Sequence, residues 1–268
     1  MDITAVKAEM KPYIFSNTPV NCKQYYLHMV DNKPQQGFFG IGTDFKPFEG
    51  KVIHISEIAI LVKLSRNKFC AVDQSLVTVM PSIGDKIKVT PYARRHFDGK
   101  RTDAPIIEKT VMADGSVVEW ERTIIGSVKT TLPLPCEQLK CPELQEMISQ
   151  IENLHAPDGH RTIAQMLNDA GAKNFDLVDP TPSNIIKTPP RLRFTVENQK
   201  HSGQVDVIYD RGMDYYRIEL IKDRTIIKSI SDLSFIDLGN ALCDAIDDGS
   251  WNKIEVEILK SSNKRKLH

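Results

Sequence analysis

The chain has 268 residues, 41% of them apolar and 26% charged, which is enough for one large domain or two ordinary ones with well-buried cores. Thirty-five basic and thirty-five acidic side chains cancel at neutral pH, so any attraction to nucleic acid or acidic lipid has to come from a local patch. The N-terminus, MDITAVKAEMKPYIF, has no basic start followed by an apolar run, and no stretch approaches the roughly 18 uninterrupted apolar residues of a membrane span. The expectation is a cytoplasmic protein that does not insert into membranes, with its five cysteines reduced.

In chain order, YIFSNTPV and QYYLHMV read as short strands, and the glycines of QQGFFGIGTDF break any helix between them and the next element. From Gly50 to about Val128, short β-type runs alternate with turn signals: GKVIHIS, IAILVKLS, KFCAVD, then LVTVMPSIGDKIKVTPY. Asp98–Gly99 and Asp114–Gly115 are hairpin signals, because Gly takes positive φ at little cost. After the second, VVEWERT alternates, with Val118, Trp120 and Arg122 on one face. Strands at this spacing predict a small barrel-like (SH3/OB-like) domain over residues 1–132.

Residues 133–190 form a helical connector with Pro-rich punctuation. Pro142 opens a helix whose Leu144, Met147, Ile148, Ile151 and Leu154 make one apolar stripe, and RTIAQMLNDAG is a second helix stopped at Gly171. Over 191–268, RLRFTVEN, GQVDVIYD and DYYRIELI read as strands, with IIKSI a candidate fourth, followed by a helix from about Ser234 to Ile246 and a last strand, KIEVEIL. The whole is predicted as α+β, the third part being an antiparallel sheet with one packed helix in the order β-β-β-α-β.

Between Gly50 and Arg101, about a fifth of the chain, Gly50, Ile53, Ile55, Val62, Val72, Leu76, Pro81, Gly84, Val89, Tyr92 and Gly99 form one pattern. That pattern resembles the KfrB-type domain of conjugative plasmids, integrative elements and some phages. The ARRHFDGK insert lengthens the Tyr-to-Gly spacing of that pattern. The resemblance implies an accessory factor of a mobile genetic element and supplies no catalytic residues.

Two clusters stand out as candidate binding sites. Lys86, Lys88, Arg94, Arg95, Lys100 and Arg101 face one acid, Asp98, with Tyr92, His96 and Phe97 between them. Such a loop could grip the phosphates of DNA or RNA and stack a base, or it could be a solvated hairpin whose charges protect an edge. Tyr209, Arg211, Tyr215 and Tyr216 surround a Gly212–Met213 turn, an aromatic–Arg mixture suited to a protein partner or to cross-strand packing. The basic tail SSNKRKLH could assist binding or simply be solvated.

No catalytic residues, metal ligands or cofactor are assigned. The carboxylates Asp206, Asp210, Asp214, Glu219, Asp247, Asp248, Glu255 and Glu257 would have to converge to hold a divalent ion, and the alternation around Glu255 and Glu257 makes them a solvated face. Cys136 and Cys141 lack zinc-knuckle spacing, His155 and His160 flank a loop, and FGIGTDF lacks the third glycine of a dinucleotide fingerprint. The preferred expectation is a non-enzymatic accessory protein that binds another protein. Nucleic-acid binding through the basic loop and a metal-dependent nuclease or hydrolase are the alternatives.

Overall fold

The computed structural model describes residues 1–36, 41–122, 128–135 and 139–262. It is an α+β structure of two compact units, residues 1–93 with 252–268 and residues 94–251. The basic tail from residue 263 and Cys136 lie outside the described residues, as do Phe39 and Gly40 of the FGIG run.

In the first unit, α1 (Ile3–Ser16) stands where YIFSNTPV reads as a strand. Asp2 caps it by accepting the Thr4 and Ala5 backbone N–H groups at 2.9 and 3.2 Å. Val6, Met10 and Ile14 recur at four-residue steps, and this stripe packs on Ala59, Leu61, Phe69 and Ala71. Tertiary burial of the stripe overrides the helix-breaking tendency of Pro12 and of the aromatic and β-branched residues after it.

The strands are β1 (Tyr26–Val30), β2 (Gln35–Gln36), β3 (Gly42–Thr43), β4 (Phe48–Ile55), β5 (Ala59–Lys63), β6 (Lys68–Asp73) and β7 (Lys86–Thr90). β2 and β3 pair with each other. The main sheet has the order β1-β6-β5-β4-β7 and then β15 (Glu255–Lys260), the KIEVEIL segment. Only β1 runs parallel to its neighbour. β1 and β15 are its two edges, and no closed barrel is found among the described residues.

One face of this sheet is covered by α1, and the other buries Val52, Ile60, Val62, Val72, Ile87, Val89, Ile254 and Val256. Most positions that carry the KfrB-type likeness have packing duties here. Val62, Val72 and Val89 are core, Pro81 is buried, and Gly84, at φ +94° in the turn before β7, donates its N–H to the Val52 carbonyl of β4 at 2.8 Å. Gly50 is required by a close approach, since a Cβ there would stand 2.5 Å from Val62 Cγ1 and 2.7 Å from the Lys63 carbonyl oxygen.

The second unit contains a hairpin of β8 (Ile106–Val111) and β9 (Val117–Arg122), closed at Gly115 with φ +81° as the Asp-Gly signal predicts. Its helices are α2 (Pro142–Asn153), α3 (Ile163–Asp169) and α4 (Phe235–Ile246). α3 carries a complete capping box between Thr162 and Gln165, and Gly171 comes after it at φ +78°. The strands β10 (Lys173–Val178), β11 (Arg191–Glu197), β12 (Ser202–Asp210), β13 (Tyr215–Lys222) and β14 (Thr225–Leu233) form an antiparallel sheet in chain order.

Apolar stripes of all three helices bury against one face of that sheet, on Leu192, Phe194, Val205, Val207, Ile218 and Leu220 among others. The helices expected in a separate connector therefore belong to the same core as the sheet. The expected β-β-β-α-β order is corrected twice: β14, which contains IIKSI, is a fourth strand before the helix, and the last strand leaves this sheet and pairs with β7 in the first unit.

Candidate functional site

The residues of the predicted nucleic-acid loop fall in both units. In the first, Lys86 and Lys88 point away from the core that Ile87 and Val89 enter. Lys86 Nζ pairs with Glu49 Oε2 at 2.7 Å, and Lys88 lies in register between Glu49 on β4 and Glu257 on β15. Tyr92 is half-buried, and its backbone N–H donates to Asn32 Oδ1 at 2.9 Å.

In the second unit the remaining cations are folded into a tight turn. The Lys100 carbonyl accepts from the His96 N–H at 2.8 Å, and the His96 carbonyl accepts from the Gly99 N–H at 2.9 Å. Arg94 is buried, with Nη1 3.4 Å from the His160 carbonyl oxygen. Arg95 is exposed and donates to the Gly99 carbonyl at 2.8 Å. Arg101 forms a two-pronged pair with Asp103, both bonds 2.7 Å. Lys100 pairs with Asp98 at 3.2 Å, and its backbone N–H together with its ammonium holds the Asp98 carboxyl below the usual range.

The tyrosine cluster builds a cleft of about 440 Å³. Tyr209 and Tyr216 are directly opposite on β12 and β13, with ring centroids 5.4 Å apart. Both rings are buried. The Tyr216 hydroxyl donates to Gln150 Oε1 of α2 at 2.7 Å, and the Tyr209 hydroxyl donates to Asp214 Oδ1. Burial pushes both phenols above their ordinary values, with the Asp214 carboxylate adding to the effect at Tyr209.

These two tyrosines are a fixed floor. The solvent-facing part is Met213, Tyr215 and Phe235, exposed to 61%, 41% and 49%. Glu143, Glu146 and Asp214 give the rim a negative balance, with Arg211 turned onto Glu143 at 3.3 Å. Phe235, Glu143, Glu146 and Gln150 escape sequence reasoning. The one local signal is an apolar pair, Phe235–Ile236, directly after the helix-capping Ser234, where a first turn is usually polar.

The eight candidate carboxylates are dispersed. Asp206 is held by Arg193 through bonds of 2.6 and 2.7 Å, and Glu219 by Arg217 at 2.9 Å. Asp210 accepts the Gly212 N–H, Asp214 accepts from Tyr209, and Asp248 accepts the Ser250 N–H. Glu255 and Glu257 lie on the polar face of β15 in the other unit. Among the described residues, no group of three or more His, Cys, Asp or Glu side chains could hold a metal ion.

Asp247 belongs instead to a buried charge centre. Arg161 is 2% exposed and bonds Asp158 at 2.7 Å, Asp169 at 2.9 Å and Asp247 at 2.6 Å, while its guanidinium carbon lies 3.7 Å from the Trp251 ring centroid. Burial opposes the charge on Arg161, but the three carboxylates outweigh it and raise the pKa. His160 stands beside Asp158, its Nδ1 3.3 Å from Oδ1. His155 bridges Thr162 through the backbone.

The fold and the site together define an α+β protein with an aromatic, acid-rimmed cleft at one end of its second sheet. Compared with known proteins, the chain matches no family model, no curated protein and no solved structure. Among the described residues, no helix is long and apolar enough to cross a membrane.

Proposed function

We propose that this chain is a non-enzymatic accessory protein of a mobile genetic element, and that it works by holding a protein partner in the Met213–Tyr215–Phe235 cleft. The observation that carries the reading is the pairing of exposed apolar side chains with a pre-ordered floor. Tyr209 and Tyr216 are already locked by hydrogen bonds and mutual packing, so a partner would order few side chains on docking. Tyrosine and methionine around a concavity are the residue types that dominate interface energetics.

The acidic rim supports a basic partner segment. Glu143, Glu146 and Asp214 favour a segment that presents Lys or Arg beside an apolar anchor. The mobile-element assignment is supported by the likeness of residues 50–101 to KfrB-type domains.

Selection of peptides from a random library on the immobilised protein tests the reading. Enriched peptides should combine an aromatic or aliphatic residue with Lys or Arg. Tyr215→Ala with Phe235→Ala should weaken them by about 30-fold or more, the equivalent of one hot spot of ~2 kcal/mol. Equal enrichment on the double variant, with an unchanged thermal midpoint, would remove the cleft from consideration.

A further inference from the structure

The first sheet carries a rank of lysines that no window of the sequence shows. Lys63 on β5 is in register with Lys51 on β4, Lys51 with Lys86 on β7, and Lys86 with Lys260 on β15. Directly opposed residues on antiparallel strands project from the same face, so four ammonium groups stand side by side across four strands. At about 4.8 Å per strand the rank extends over roughly 14 Å. All four line one cleft of about 970 Å³, with Glu49 as its single acid.

The neighbouring rank on the same face shows how unusual this is. There Glu49, Lys88 and Glu257 alternate in sign across three strands, which is the arrangement that stabilises a sheet. Like charges placed directly opposite cost stability. Lys86 is partly relieved by Glu49, and Lys63 donates to the Asn17 carbonyl oxygen at 2.5 Å. The Lys51 and Lys260 side chains have no hydrogen bond or ion pair among the described residues. Repulsion that the fold itself does not relieve would be relieved by an anion with regularly spaced charges.

We propose that this lysine rank is a binding site for the phosphodiester backbone of double-stranded nucleic acid. Among the described residues, Leu64 is the only large apolar residue lining the cleft and no aromatic ring lines it, so they supply neither the anchor of a protein interface nor the platform on which single-stranded bases stack. A duplex supplies the highest linear charge density, about one charge per 1.7 Å of axis. Binding is through the backbone and independent of sequence. This site is distinct from the Arg94–Arg101 turn, whose cations are engaged locally, and it does not depend on the tyrosine cleft.

The test is the salt dependence of binding to a labelled 20-base-pair DNA duplex, measured by fluorescence anisotropy on the full chain. Four phosphate contacts give a slope of log Kobs on log[salt] near −3.6, a loss on the order of 100-fold between 50 and 200 mM salt. Lys51→Gln with Lys260→Gln should reduce the slope by about 1.8, leaving a loss of about 10-fold. Lys88→Gln, in the alternating rank, should leave the slope unchanged.

Because the double variant removes opposed like charges, its thermal midpoint should hold or rise, and a clear fall would contradict the repulsion on which the site rests. The proposal is overturned if the double variant keeps the wild-type slope. It is equally overturned if Arg95→Gln with Lys100→Gln removes the slope instead, or if polyglutamate of equal charge binds as tightly as the duplex.

Discussion

Arg161 and Asp247 are 86 residues apart in sequence and share a buried 2.6 Å hydrogen-bonded ion pair. The same guanidinium also holds Asp158 and Asp169, so one cation ties the loop before α3, the end of α3 and the exit of α4. Replacing Arg161 with Met leaves Asp169 and Asp247 buried without their counter-charge. The expected loss is about 3–5 kcal/mol of stability, read from urea denaturation. A loss under about 1 kcal/mol would mean that water reaches the carboxylates as soon as the arginine is gone.

Asp85 gives the stability of the first unit a pH dependence. The Ser262 backbone N–H at 2.7 Å and the Ser82 backbone N–H at 2.8 Å hold its carboxyl below the ordinary value. A depressed native pKa means that the unfolded chain binds more protons near pH 4, so the contribution is present above about pH 4 and is lost as the pH falls through the native value. Asp85→Asn should therefore flatten the acid limb of the stability profile and leave its shape above about pH 5 unaltered.

Gly50 tests the packing of β4 on β5. Alanine at this position brings a methyl group against Val62 and the Lys63 carbonyl, and backbone cannot step aside as the end of a flexible side chain can. Gly50→Ala should cost about 1–3 kcal/mol, measured as a lowered denaturation midpoint.

The thiols should separate cleanly by access. Cys70 is 3% exposed and pushed up to about 12 by burial, whereas Cys22 is half-buried near the surface. A chromogenic disulfide reagent at about pH 8 should label Cys22 in the native protein and reach Cys70 only at the rate of unfolding. Prompt native labelling of Cys70 would contradict the packing of Val62, Val72 and their neighbours around it.

Much of the second unit is legible in the sequence because its signals are local. Pro142 and the Leu144–Ile151 stripe define α2, Gly171 ends α3, and Asp114–Gly115 closes the β8–β9 hairpin. The first helix is harder to read, since its stripe is only Val6, Met10 and Ile14 and the aromatic run after Pro12 has β character.

The fate of KIEVEIL is not legible at all. Its alternation correctly identifies a strand, but a two-residue period carries no information about which sheet will receive it. The same limit hides the lysine rank, whose members lie on four separate strands and meet only through register. For the tyrosine cluster the sequence names the right turn, yet which rings face inward is decided by the pleat. Tyr209 and Tyr216 go to the floor, Tyr215 to the rim, and α2 and α4 supply the rest of the cleft.

Occupancy of the tyrosine cleft by a partner is read most directly by site-specific photocrosslinking in the native host. A photoreactive phenylalanine analogue is placed at position 213 and, in a parallel culture, at the exposed Trp120 of the β8–β9 hairpin. Position 213 should give one discrete adduct, joined through a partner segment rich in Lys or Arg and abolished by Phe235→Ala, and position 120 should give none. An adduct formed only from position 120, or one from position 213 that survives Phe235→Ala, would contradict a partner held in this cleft.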